Sequence, residues 1–326
     1  MKSEVLAVLG AFGVTFTISA VSLPLWQALC RRWGHVDDPG HRKIHTQPIP
    51  LAGGFAVSAG GLLGGLLIWI LASSGVLGRV EVGSLWVGAE GGRRFGVLLA
   101  GAVGMLALGA WDDRRDLGAG MKFLVQGLIA VLVAIYGVQV PVPDGMAILR
   151  QPLTVFWILA VTNAFNLSDN MNGLCAGLGL IGASAVSAAS LLFQGQFELA
   201  CGAALFAGSL AGYLPYNYPR ASVFLGDAGS QWVGYWIAVL ALLFVRPFTI
   251  SNGGLQQSCK AAFAVAAVPL IDMAFVVLSR TWRGQPFWVG DTHHLSHRLA
   301  RTSLGKAGAV AVLWLLGALL VALFNR

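Results

Sequence analysis

Charge is what this sequence has least of. Only 11% of its 326 residues are Asp, Glu, Lys or Arg, against 56% hydrophobic. Chains that live in water carry roughly 25% charged residues, so this one lacks the polar surface of a soluble globular protein. It also lacks a basic run long enough to follow a nucleic acid, so the net charge of +7 is left to membrane orientation and no nucleic-acid partner is expected. Cysteine is scarce too. Cys30, Cys175, Cys201 and Cys259 fall singly in or beside apolar stretches, without metal-ligand spacing, and read as small buried side chains. No internal repeat, low-complexity tract or soluble domain stands out. No small-residue cleavage site follows the first apolar stretch, so no cleavable signal is expected.

What the chain has is apolar length. Stretches run approximately over 4–27, 51–74, 95–111, 122–140, 152–167, 173–193, 197–216, 228–246, 259–279 and 305–324. Each is near the roughly 20 residues a spanning helix needs, and the 43 glycines suit close helix contact in lipid. The expected fold is all-α: a polytopic integral membrane protein of about ten helices, with residues 1–326 forming a single transmembrane domain. If the spans alternate, the connections 28–50, 112–121, 168–172, 217–227 and 280–304 share one side. With their helix edges they hold 13 of the 21 Lys and Arg residues. That bias marks this side as cytoplasmic and places both termini outside.

A second sorting points to chemistry. Nine of the 14 acidic residues lie on or near the same face: Asp37, Asp38, Asp112, Asp113, Asp116, Asp169, Asp227, Asp272 and Asp291. All nine are Asp. The six histidines, at 35, 41, 45, 293, 294 and 297, fall there as well. Surface charge selected for solubility would mix Asp with Glu on both faces. Short carboxylates and imidazoles gathered on one face suit ligand geometry.

Four segments carry this pattern. Gly109-Ala-Trp-Asp112-Asp113-Arg-Arg-Asp116 ends the third span; adjacent carboxylates at a membrane edge need a cation or a proton. An interfacial pair answered by Arg114 and Arg115 is the plainer alternative. Lys122, nine positions after Asp113, is a candidate phosphate-binding charge. In Asn163-Ala-Phe-Asn166-Leu-Ser-Asp169-Asn170-Met-Asn172-Gly173-Leu174, Asn163 and Asn166 share a helical face. Amides at that depth suit a polar cavity, although a turn explains the last five residues. Phe224-Leu-Gly226-Asp227-Ala-Gly229-Ser230 enters the eighth span, where Asp227 reads as a helix cap or a metal ligand. In Asp291-Thr-His293-His294-Leu-Ser-His297-Arg298-Leu-Ala-Arg301, His294, His297, Arg298 and Arg301 would form one face able to grip phosphates. Zinc lacks a well-spaced third ligand there. Arg42, Lys43 and His45 precede Pro48-Ile-Pro50-Leu-Ala-Gly53-Gly54 as a further basic cluster, equally readable as positive-inside anchoring. Carboxylates, amides, imidazoles and guanidiniums on one face fit phosphoryl transfer, which needs mainly charge neutralisation and alignment.

At these residues the chain resembles the polyprenyl-phosphate N-acetylhexosamine-1-phosphate transferases, which include bacterial undecaprenyl-phosphate GlcNAc-1-phosphate transferases. The resemblance covers most of the chain, from Arg42-Lys43-Ile-His45 to His294–Leu299. It implies a multi-pass enzyme of the inner (plasma) membrane, active on the cytoplasmic side, that starts cell-envelope polysaccharide synthesis. A polyprenyl phosphate would attack a UDP-sugar and release UMP, with Mg²⁺ (Mn²⁺ as the alternative) as cofactor. Carried over by position, Asp227 would bind the metal, assisted by Asn166 or Asp169. Phe224 would stack on uracil, with Asn172 and Gly173 reading its edge and Asn163, Lys43, His45 and Arg301 also meeting substrate. Asp112, Asp113 and Lys122 would lie near the metal and the incoming phosphate, and His294, His297 and Arg298 would close over the sugar diphosphate. Lipid and a second copy of the chain are the other candidate partners. Two departures stand out: Asn172 replaces a second carboxylate of the family's Asp-Gly-x-Asp-Gly, and Ser296 the middle His of His-x-His-His. The triple-His run of the muramoyl-pentapeptide branch is absent, which argues against that substrate. The competing class is an ion-coupled secondary transporter, for which Asp272, inside the ninth span, is the best residue.

Overall fold

A computed structural model describes residues 2–39, 47–73, 88–192, 195–245, 254–286 and 294–324. Lys43, His45, Asp291 and His293 of the expected site lie outside the described residues. The chain runs α1 (Lys2–Arg32), β1 (Val36–Asp37), β2 (Ile49–Pro50), α2 (Gly53–Ser73), α3 (Gly88–Arg115), α4 (Ala119–Tyr136), α5 (Arg150–Ser168), α6 (Leu174–Leu192), α7 (Phe197–Asn217), α8 (Gly226–Val245), α9 (Gly254–Trp282), α10 (Leu295–Ala300) and α11 (Gly305–Phe324). Among the described residues ten of these helices, α1 to α9 and α11, are long and apolar enough to cross a membrane. The protein is therefore an all-α polytopic membrane protein, as its run lengths predict. Lipid offers backbone groups no partners, so each span must satisfy its own amides as a helix. The described strands form a two-residue antiparallel bridge, Val36 opposite Pro50 and Asp37 opposite Ile49.

The helices sort by how much apolar surface they hide. For α8, 94% of the spanning stretch is buried, against 17% for α1. Apolar all round, α8 forms the centre of the bundle, packed against α2, α3, α5, α6 and α9. Trp232, Tyr235 and Phe244 fill the space around it. On α1, α4 and α11 the leucines at 6, 9, 124, 128, 315 and 319 remain exposed, the outward surface expected of lipid-facing helices.

Among the boundaries that differ from the apolar runs, two bear on the site. The third run ends near residue 111, yet α3 continues through Asp112 and Asp113 to Arg115. Lys122 lies in the first turn of α4 rather than at its border. Both carboxylates find partners on other helices, so the α3 backbone need not unwind to bring them to water.

Candidate active site

The ends of α3 and α5 and the starts of α4 and α8 meet at one end of the bundle, and each contributes a polar side chain. Their meeting depends on the start of α8. Gly226 has a φ of +73°, a left-handed turn that glycine enters without strain. A Cβ on Gly109 of α3 would stand 2.3 Å from the Asp227 carbonyl oxygen, so only glycine lets α3 approach that closely. The first amides of α2 clamp the preceding loop: Gly53 N donates to Phe224 O and Gly54 N to Leu225 O, both at 2.9 Å, while Phe224 N donates to Pro50 O at 3.0 Å. These are helix-start donors with no partner inside their own helix.

Asp113 completes the support. Its Oδ1 accepts from Asp227 N at 2.8 Å and its Oδ2 from Ala228 N at 3.1 Å. The start of α8 is thus capped by a carboxylate from α3, and Asp227 is not the cap that its position suggests. Freed from capping, Asp227 turns its side chain to the site. Asn166 Nδ2 donates to its Oδ1 at 2.8 Å, and Lys122 Nζ pairs with its Oδ2 at 3.2 Å. Asn166 also donates to Ser230 Oγ at 2.8 Å. Lys122 forms a second, closer ion pair with Asp112 Oδ2, while Asp112 Oδ1 accepts from Leu117 N at 2.8 Å. Exposure separates the three carboxylates: the Asp227 side chain is 35% exposed, Asp112 4% and Asp113 7%. Asp227 is the open one.

Asp169, just past the end of α5, joins this group. Burial pushes its carboxyl well above the usual range, and the negative charges of Asp227 and Asp113 push it further. Four carboxylates thus share one end of the bundle, and Lys122 supplies a single positive charge to two of them. Among the described residues no three His, Cys, Asp or Glu side chains enclose a metal position. Mg²⁺ does not need such a cage, because it binds through one or two carboxylates and takes waters and substrate phosphates for the rest. Asp227 with Asp169 or Asp112 fits that demand. Asn166 turns its amide nitrogen toward Asp227, so it holds the carboxylate in place.

The other expected residues fall into three places. Asn163 lies one helical turn below Asn166, donating to Gln126 Oε1 at 2.8 Å and Leu159 O at 2.9 Å, and Gln126 donates to Gln231 Oε1 at 3.2 Å. Gln126 follows Lys122 by one turn and Gln231 follows Asp227 by one turn. The same three helices therefore repeat the charged layer as a buried amide layer beneath it. Two glutamines within apolar spans, each four positions past a site residue, were the available signal for this layer. Asn172 Nδ2 reaches Pro219 O at 3.3 Å, and Gly173 N donates to Asn217 Oδ1. Asn217, absent from the sequence expectations, also donates to Val223 O at 2.9 Å and so ties this hinge to the loop bearing Phe224.

The C-terminal histidines form a second cluster. His294 Nδ1 lies 2.7 Å from Asp272 Oδ2, and Asp272 Oδ1 accepts from Leu295 N at 2.7 Å. Asp272 is thereby engaged at both oxygens, as a fixed partner rather than a station on an ion path. The His297 ring stands edge-on to His294 at 6.1 Å, and burial and the charges of His294, Arg301 and Lys306 hold His297 below its ordinary pKa. Arg298 lays its guanidinium over the Phe275 ring at 4.9 Å, and Arg301 follows at the exposed end of α10. Ser296 Oγ donates to Asn170 Oδ1 at 2.6 Å, which joins this cluster to the hinge carrying Asp169. His35, which the sequence placed on this face without a role, is buried with its Nε2 3.7 Å from Asp113 Oδ2.

Comparison with known proteins gives the family. The family model for glycosyl transferase family 4 matches residues 95–245, the stretch from α3 through α8. The chain is 30% identical to a probable undecaprenyl-phosphate N-acetylglucosaminyl 1-phosphate transferase of Bacillus subtilis, over 97% of this chain and 84% of the relative. It is 31% identical to a decaprenyl-phosphate N-acetylglucosaminephosphotransferase of Mycobacterium tuberculosis, over 88% and 74%. An undecaprenyl-phosphate alpha-N-acetylglucosaminyl 1-phosphate transferase of Escherichia coli is 26% identical, over 94% and 80%.

Proposed function

The chain belongs to glycosyl transferase family 4, among the polyprenyl-phosphate N-acetylhexosamine-1-phosphate transferases, and on that premise we propose that it moves N-acetylglucosamine 1-phosphate from its UDP-sugar to undecaprenyl phosphate. The observation that carries this reading is the start of α8, where Lys122 and Asn166 hold the two oxygens of the most open carboxylate, Asp227. An oxygen of the lipid phosphate attacks the β-phosphorus, the bond to the α-phosphate oxygen breaks, and UMP leaves. The lipid phosphate is already ionised at neutral pH, so the protein need not remove a proton from it. Its task is alignment and charge.

In this reading Asp227 with Asp169 holds Mg²⁺, or Mn²⁺ in its place. The chemistry such a cation supplies when bound is neutralisation of charge on the donor's diphosphate. Lys122, oriented by Asp112, meets the incoming lipid phosphate. Asp113 fixes the helix start that carries Asp227. Phe224 and Asn172 line the uracil end, and His294 and His297 face the diphosphate. The site opens to the cytoplasm from the inner membrane, both chain ends lie on the other side, and the product starts a cell-envelope polysaccharide.

Purified protein given Mg²⁺, undecaprenyl phosphate and a panel of UDP-sugars should release UMP with UDP-N-acetylglucosamine. A folded preparation that releases none with any sugar overturns the reading.

A further inference from the structure

Asp272 has no contact with the carboxylate group around Asp227, yet it is held as firmly as any residue there. It lies ten residues before the end of α9, which is about 15 Å along the helix. His294 is level with it, so α10 is set into the end of the bundle. One carboxylate grips two adjacent features of α10: Oδ2 takes the His294 ring at Nδ1 and Oδ1 takes the Leu295 amide, each at 2.7 Å. His294 offers its own helix no side-chain cap, so the first amide of α10 depends on Asp272. Both side chains are buried, at 7% exposure for Asp272 and 4% for His294. Two more contacts fix α10 from either side: Ser296 on Asn170 of the hinge, and Arg298 over Phe275, one turn past Asp272 on α9.

We propose, resting on the transferase reading above, that Asp272 is a positioning residue that locks the His294 ring with Nδ1 turned into the bundle, leaving Nε2 to meet the donor's diphosphate. A carboxylate on one imidazole nitrogen sets both the ring's orientation and which nitrogen faces the ligand. A doubly protonated ring held this way donates from Nε2 to a phosphate oxygen, and the carboxylate behind it offsets the charge. The second bond, to Leu295 N, fixes the backbone that carries the ring. A residue that merely stabilised α10 would need the amide contact alone.

The test compares Asp272→Asn, His294→Gln and the double variant in the UMP-release assay. Asparagine keeps the shape and an acceptor for Leu295 N but no longer fixes the ring. Asp272→Asn should lower kcat on the order of 10- to 100-fold, with donor KM changed only a few-fold. The double variant should be no slower than His294→Gln alone, because a residue acting through His294 has nothing left to position. Multiplicative losses in the double variant, or near-normal kcat in Asp272→Asn, overturn the proposal. An activity-independent arm uses nitrogen NMR of histidine-labelled protein in detergent. His294 should carry a proton on Nδ1 in the wild type and lose that preference in Asp272→Asn; a bare wild-type Nδ1 overturns the proposal. If wild-type protein transfers no sugar phosphate, the functional reading fails while this arm still decides the pairing.

Discussion

Two groups of aspartates sit at the same end of the bundle and are treated in opposite ways. Around α8, Asp112, Asp113 and Asp227 are divided among a lysine, a pair of helix-start amides and an asparagine, and one of them stays open. On α9, Asp272 is closed at both oxygens by one short segment, His294 and Leu295. The first arrangement gathers negative charge that its own residues leave in excess, which prepares a place for a cation and phosphates. The second leaves no excess, and acts only through the imidazole it holds. The same residue type at the same end of the bundle is thus either a ligand in waiting or a fixed support, depending on its neighbours.

The largest effect should come from the open carboxylate. Asp227→Asn keeps the shape and an acceptor for Lys122 but removes the charge that would hold Mg²⁺. Turnover should fall about 10³-fold, or about 4 kcal/mol of transition-state stabilisation, with expression and thermal stability in detergent unchanged. Removing divalent cations with a chelator should abolish wild-type turnover, and added Mg²⁺ or Mn²⁺ should restore it. Wild-type rates in Asp227→Asn would remove the distinction between the two groups.

Lys122 tests the other half of the contrast, because it serves both charge and structure. Lys122→Met leaves Asp112 buried at 4% exposure without its counter-charge, a change that costs about 3–5 kcal/mol where a buried pair is broken. Detergent melting should fall accordingly and turnover should drop on the order of 100-fold. Adding Asp112→Asn should recover most of the stability and none of the activity. Recovery of both would mean that Lys122 neutralises Asp112 and does nothing for substrate.

How much of this was legible in the sequence depends on distance along the chain. The ten spans followed from run length, since an apolar run of about 20 residues has few other places to go. The convergence of Asp112, Lys122, Asn166 and Asp227 was also legible, because alternation puts those four span ends on one side. What the sequence hid were the partners. Asp227 looks like a cap because it stands at a helix start, but the cap is Asp113, 114 residues earlier. No local pattern distinguishes a carboxylate that caps its own turn from one that is capped from afar. Asp272 read as an intramembrane charge because its partner His294 is 22 residues on. The resemblance implies that Asn163 meets substrate, and its helical face shared with Asn166 suits a polar cavity; neither pointed to its bond to Gln126, which with Gln231 belongs to other helices.

That amide layer offers a milder test. Asn163→Leu removes a donor to Gln126 without touching Asp227. Interhelical hydrogen bonds in membranes are worth about 1 kcal/mol, so melting should shift modestly and kcat/KM should change less than tenfold. A large rise in donor KM would return Asn163 to the substrate-binding residues and make the lower layer part of the site.

The smallest effect belongs to His35, which stands to Asp113 as His294 stands to Asp272, but at 3.7 Å rather than 2.7 Å. At the longer distance there is no hydrogen bond to hold the charged ring. Burial therefore dominates, and with Arg114 nearby it lowers the His35 pKa below its ordinary 6.5. The folded protein prefers this ring neutral, whereas the unfolded chain takes up its proton near 6.5. Below that pH the unfolded state binds more protons, so stability is intact above about 6.5 and is lost as pH falls toward the lower folded value. The slope contributed is at most about 1.4 kcal/mol per pH unit. Detergent melting of wild type and His35→Asn, compared between about pH 7.5 and pH 5.5, should show the wild type losing more on acidification. Equal losses in the two proteins would mean that Asp113 holds the ring charged after all, and the two His–Asp pairs would then be alike.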